Sequence, residues 1–234
     1  MAQVNEVTSD AETGGRRRNP RGQGEKLRTE ILAAVERLLD RRIGDDTLPV
    51  SLREVAREVG IAAQSMYLHF SDKEQLAHAV TSDGYRRLVA AMREADAGAA
   101  SAGAGTDGRL RAQCGAFCEF ARTHRGVTRL MFGQDASRFG PAGQAHPARI
   151  LWEQWLSAVT ACEEAGLRWP DGAEETAMRL WSALFGRFAL WAGSFGEHRP
   201  EALTDFADRT VDALLRDAAP AAAGPPGGRR PAAD

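Results

Sequence analysis

Cysteine is scarce and odd in number. Cys114, Cys118 and Cys162 cannot all pair, which excludes a disulfide framework and fits a cytoplasmic chain with reduced thiols. No uncharged apolar run approaches the ~20 residues of a membrane span; the richest stretch, residues 177–191, is interrupted by Arg179 and Arg187. The first fifteen residues lack the apolar segment of a secretory signal. Bulk positive charge is missing too. The chain carries 30 Lys and Arg against 32 Asp and Glu, a formal net charge of −2, so any affinity for nucleic acid has to come from local charge placement. There is no Gly-rich phosphate loop, no nucleophile elbow and no HExxH pair, and titratable groups do not gather as in an enzyme cleft. Cys114 and Cys118 share a helical face at i, i+4, but no further ligands follow at matching spacing, and His124 and His146 stand apart. Neither a metal nor a cofactor is expected, and the thiols read as buried small hydrophobes.

What is present is helical periodicity. Leu27, Ile31, Ala34, Val35, Leu38 and Leu39 recur at spacings of three and four, one apolar stripe on a helix over residues 24–42. Gly44, Asp45, Asp46 and Pro49 break it. Ser51 with Glu54 reads as a capping box opening a second helix, and Ser71 with Glu74 as another opening a fourth that runs to about Asp96. Residues 97–108, rich in Gly, Ala and Ser, read as a loop, with Asp107 capping a helix through His124. A short helix over 127–132, a loop over 133–146, a helix opened by Pro147, one capped by Asp171 with Glu174 and one opened by Pro200 complete about nine helices. No β-alternation is long enough to predict a strand. The expected class is all-α: a disordered basic arm (1–21), a three-helix helix-turn-helix unit (22–73), a helical bundle (74–217) and an Ala/Pro/Gly-rich disordered tail (218–234).

Two short helices joined by a Gly-containing turn form a helix-turn-helix pattern. The helix over residues 51–58 would brace the next, whose polar face projects toward a DNA major groove. Ala62, Ala63, Gln64, Ser65 and Leu68 point outward at this spacing, while Ile61, Met66 and Phe70 point in. Gln64 suits a bidentate contact to adenine and Ala63 a thymine methyl group. Between Arg16 and Lys73 twelve Lys and Arg oppose nine Asp and Glu, a net +3 on a chain whose total is −2. Arg16, Arg17, Arg18 and Arg21 end the N-terminal segment, read as a solvated tail, a DNA-touching arm, or both.

The segment from Val59 to Leu76 resembles the recognition segment of the tetracycline-repressor-like (TetR) family, with Gly60, Tyr67, His69, Phe70, Lys73 and Leu76 in register. Ala62 replaces the family's usual Ser, Gln64 a frequent Gly and Met66 a Leu. The resemblance implies that Tyr67, His69 and Lys73 hold phosphates; packing between helices is the alternative for Tyr67 and His69. Lys73 and Ser51 also lie at helix N-termini, which favour anions. Phosphate contacts would set register, and Gln64 with its neighbours would set sequence.

The remainder is similar, more loosely, to ligand domains of the same family, in the runs Phe120 to Gly133 and Trp181 to Gly186. Phe117, Phe120, His124, Met131, Phe132, Trp152, Trp155, Met178, Trp181 and Phe185 fall at helical spacings. They read either as packed core or as the lining of a pocket for an apolar or aromatic effector. By the same resemblance the last two helices, residues 173–191 and 201–217, form the homodimer surface; Leu203, Phe206, Val211 and Leu214 give the second of them an apolar stripe, which reads alternatively as closure of the core. The resemblance implies a dimer on a pseudo-palindromic double-stranded operator, with repression as the family's leaning. The expected function is thus an effector-released repressor; a DNA-binding regulator whose body serves only dimerisation or a protein partner is the alternative, and an enzyme is not expected.

Overall fold

The computed structural model describes residues 23–41, 50–133, 146–193, 199 and 201–220. The expected basic arm Arg16, Arg17, Arg18 and Arg21, residues 134–145 of the expected loop over 133–146, Pro200 and the residues beyond 220 lie outside them. Among the described residues the chain is helical: α1 (Gln23–Arg41), α2 (Leu52–Val59), α3 (Ala63–Tyr67), α4 (Lys73–Ser101), α5 (Thr106–Thr123), α6 (Arg125–Phe132), α7 (Arg149–Glu164), α8 (Gly172–Ala192) and α9 (Glu201–Asp217).

The first three helices close on a small core. The α1 stripe of Ile31, Ala34, Val35, Leu38 and Leu39 packs with Leu52, Val55 and Ala56 of α2, and with Met66 and Phe70. Ser51 caps α2, its Oγ accepting from the Glu54 N–H at 3.2 Å. Gly60 stands at φ +78°, a left-handed backbone that suits glycine. There the Ile61 N–H donates back to the Ala56 carbonyl at 2.9 Å and the chain turns into α3.

Several expected boundaries move. The cap of α4 is Asp72, not Ser71: Asp72 accepts from the Gln75 N–H at 2.7 Å, while Ser71 Oγ donates to the same carboxylate. The predicted loop over 97–108 is mostly helix. The alanines at 95, 97, 99 and 100 are strong helix formers and outweigh Gly98. Asp96 is clasped by Arg109 (2.7 and 2.9 Å) and Gln113 (3.0 Å) of α5, which leaves only residues 102–105 to turn. Gly105, not Asp107, occupies the α5 cap. Asp171 does sit at the cap of α8, but its carboxylate binds Arg179 instead of the helix N–H groups. Pro147 lies in the turn before α7. A two-residue antiparallel pairing of β1 (Leu167–Arg168) with β2 (Ala219–Pro220) carries ordered chain just past the expected boundary at 217.

In the body, α4 packs on α5, α5 on α9 and α7 on α8 around Leu88, Met92, Leu110, Phe117, Trp155, Leu180 and Phe188. Cys114 and Cys118 are inside this core; burial pushes both thiols up, Cys118 to about 12, which keeps them protonated. Short α6 is wedged between the N-terminal unit and the body. Its Gly126 sits on Leu39 of α1, and Val127 and Met131 lie over Gly84 of α4.

Candidate nucleic-acid interface and effector cleft

The residues expected to meet DNA lie in and beside α3. Met66 and Phe70 are fully buried beneath it, so the helix cannot roll, and the Arg28 guanidinium covers the Phe70 ring at 4.7 Å. Above them Ala62 and Gln64 are exposed and Ala63 and Ser65 half-buried. Tyr67 is 51% and Leu68 82% exposed, an unusual cost in water for two large side chains unless something covers them. His69 is half-buried. Lys73 is exposed at the first residue of α4 and Ser51 at the cap of α2, so the helices before and after α3 each present an exposed N-terminus. Arg53, exposed in the first turn of α2, is a cation the sequence reading did not single out; its place beside Ser51 was the available signal. Glu58, the acidic residue closing α2, is neutralised by Arg41 (2.7 Å) and Arg37 (3.3 Å), which hold its carboxyl below the usual carboxylate range.

His124 was expected in an effector pocket and is placed elsewhere. It joins Glu36 of α1 and Arg87 of α4. Arg87 Nη1 is 2.8 Å from Glu36 Oε2, Arg87 Nη2 is 3.0 Å from His124 Nδ1, and His124 Nδ1 also contacts Glu36 Oε1. Burial would raise the Glu36 carboxyl, but the Arg87 hydrogen bond and charge, with His124, bring it below its ordinary range. This triad, with the Gly126 N–H donating to Asp40 Oδ1 at 2.9 Å, ties the N-terminal unit to the body.

Among the described clefts, none gathers the ten expected pocket residues. Phe117, Phe120, Met131 and Trp155 are core. Phe132 is the centre of an aromatic cluster, its ring 4.9 Å from Phe185, 5.8 Å from Tyr85, 6.3 Å from Phe117 and 6.4 Å from Trp181; Trp152 stacks on Trp181. Beside the cluster lies a cleft of about 420 Å³ lined by Phe132, Phe185, Phe188, Ala189, Ala192 and Arg129. Only Phe132 and Phe185 of the ten reach it. Phe188, at the same helical spacing and read from the sequence as core or pocket, lines it as well; Arg129 was missed, although it stands three residues from Phe132 on its own helix. A second cleft, about 530 Å³, lies between α5 and α9 and is lined by Arg111, Arg209, Asp212, Arg216 and Leu215, four of them charged.

The expected dimer stripe is also placed inward. Leu203, Val211 and Leu214 are buried within the protomer and Phe206 is half-buried under Arg187, because α9 closes against α5 and α8. Among the described residues of the body, the large apolar side chains left exposed are on α8: Met178 is 43% and Leu190 55% exposed, with Ser182 and Gly186 between them at four-residue spacing. Met178, expected in a pocket, is thus placed on this outer face. No described helix is long and apolar enough to cross a membrane.

Residues 110–214 match the family described as tetracyclin repressor-like, C-terminal domain, and residues 46–80 match the one described as bacterial regulatory proteins, tetR family. The fold is similar to a protein of unknown function from Rhodococcus sp. RHA1, at 28% identity and TM-score 0.63 over 81% of this chain and 95% of that one. A bacterial regulatory protein in the tetR family from Rhodococcus RHA1 aligns at 23% identity and TM-score 0.61, over 84% of this chain and 98% of that one. FadR of Thermus thermophilus, a TetR-family repressor in complex with lauroyl-CoA, aligns at 20% identity and TM-score 0.58 over 86% of this chain and all of that one. No curated protein matches the chain.

Proposed function

The chain belongs to the TetR family and is a DNA-binding transcription regulator, and from that premise we propose that it is a dimeric cytoplasmic repressor released from its operator by a small apolar or aromatic effector. The observation that carries the reading is the outward α3 face, pinned from below by Met66 and Phe70, with Ser51 and Lys73 exposed at the N-termini of the helices before and after it. Tyr67, His69, Lys73 and Ser51 would take phosphates, and Ala62, Ala63, Gln64 and Ser65 the base edges. Two such faces about one DNA turn (~34 Å) apart suit a dimer on a pseudo-palindrome. The exposed α8 face around Met178 and Leu190 supports α8 as the centre of that dimer.

Effector binding is supported by the cleft beside Phe132, whose volume falls among ligand pockets. The lauroyl-CoA held by the Thermus relative supports an apolar ligand. Coupling would run through α6: its last residue, Phe132, walls the cleft, and its second, Gly126, rests on α1. A ligand preferring one placement of α6 shifts the dimer between two headpiece spacings, by no more than its differential affinity for them. The dense burial of Phe117, Met131 and Trp155 favours the second reading, a regulator without an effector. Duplex binding by fluorescence anisotropy tests the first claim. Tyr67→Ala and Lys73→Ala should each weaken binding about tenfold at moderate salt, Lys73→Ala also flattening the salt dependence by about one ion; affinities equal to wild type would refute it. Medium-chain acyl-CoA and aromatic acids that neither raise the melting temperature nor release the duplex would leave the effector-free reading standing.

A further inference from the structure

The solvent face of α3 holds no charged side chain. Its chemistry is methyl-rich: Ala62 exposed, Ala63 half-buried and Leu68 at 82% exposure, beside the one amide, Gln64, and the Ser65 hydroxyl. Guanine in the major groove is read chiefly by the forked donors of Arg or by Lys on O6 and N7. Arg53 and Lys73 sit on the helices before and after α3, each in the first turn, where phosphates rather than base edges would be met on the DNA-binding reading. Gln64 matches the paired acceptor and donor of adenine. Alanine and leucine match one feature of a base edge, the C5 methyl of thymine. Leu68 is not needed by the fold, since its side chain lies almost wholly in water while Met66 and Phe70 fill the core.

Resting on the DNA-binding reading, we infer that the α3 face reads A·T base pairs: Leu68, Ala62 and Ala63 cover a cluster of thymine methyl groups, and Gln64 holds an adjacent adenine. Leu68 is then a specificity-determining residue, the part of the interface that phosphate contacts cannot supply.

The full-length protein is used to select duplexes from a random pool, and each thymine of the enriched half-site is then replaced by deoxyuridine. That replacement keeps every hydrogen-bonding group and removes only the methyl. The expected result is an A·T half-site in which at least two such replacements each weaken binding about three- to fivefold. Leu68→Ala, an exposed change that leaves the core intact, should weaken binding of the thymine duplex about three- to fivefold, to the level of the deoxyuridine duplex, and so abolish the distinction between them at one position. Gln64→Ala should relax selection at the adenine. Enrichment of guanine-centred half-sites, or thymine and deoxyuridine bound equally by wild type, overturns this inference and leaves the regulator reading intact. Failure to enrich any duplex overturns both.

Discussion

Replacing Gly126 by alanine should drive the N-terminal unit off the body. A Cβ built at Gly126 lies 2.6 Å from Leu39 Cβ, 2.7 Å from the Leu39 carbonyl carbon and 2.8 Å from the Asp40 nitrogen. Carbon atoms settle near 3.5 to 4.0 Å, so α1 and α6 must part by roughly 1 Å. Two of the three neighbours are backbone atoms, and no rotamer change removes them. The same retreat stretches the Gly126 N–H bond to Asp40, now 2.9 Å, toward the limit of hydrogen bonding. Overpacking of this kind costs about 1–3 kcal/mol. For a chain of this size each kcal/mol is worth about 2–4 °C, so the melting temperature should fall by about 2–12 °C. Gly115→Ala is the control. It is a helix-interior glycine with nothing within 4 Å of an added Cβ, and alanine there should stabilise by roughly 0.5–1 kcal/mol. Calorimetry on both variants decides the matter: the reasoning predicts opposite signs, and a Gly126→Ala protein as stable as wild type would refute the close approach of α1 and α6.

Acid should loosen the same junction through Glu36. Its folded carboxyl is held below the ordinary range, so its stabilising contribution is complete above the unfolded value of about 4.3 and is lost as pH falls through the lowered folded value. Glu36→Gln should cost about 1–3 kcal/mol at neutral pH, moderated by an Arg87 side chain 38% exposed, and should flatten the acid limb of urea midpoints measured from pH 6 down to 3; an unchanged limb would count against the triad. Met178→Glu with Leu190→Glu should yield a folded monomer, raising the dimer dissociation constant about a hundredfold by sedimentation, since unpaired charges would be buried across the α8 face. Val211→Glu, by contrast, should unfold the protomer, and a folded monomer from that variant would return α9 to the dimer surface.

The part of this protein that can be read from local chemistry is the N-terminal unit. Ser51 caps the helix that follows it, Gly60 supplies the left-handed turn, and Tyr67, His69 and Lys73 stand in a register that identifies the segment, all within neighbouring residues whose geometry the backbone settles by itself. Helical periodicity likewise reveals that α9 has an apolar face. It does not reveal what that face meets, and only the packing of α9 on α5 and α8 shows that Leu203, Val211 and Leu214 belong to the protomer's own core while Met178 and Leu190 remain outside. The same holds for His124, whose partners Glu36 and Arg87 are 88 and 37 residues away, and for Phe132, which borders a cleft while Phe117 and Trp155, equally aromatic, do not. A helix carries its own hydrogen bonds and so announces itself in sequence. The neighbour of a buried face is chosen by the assembly of distant segments, and that choice exists only in three dimensions.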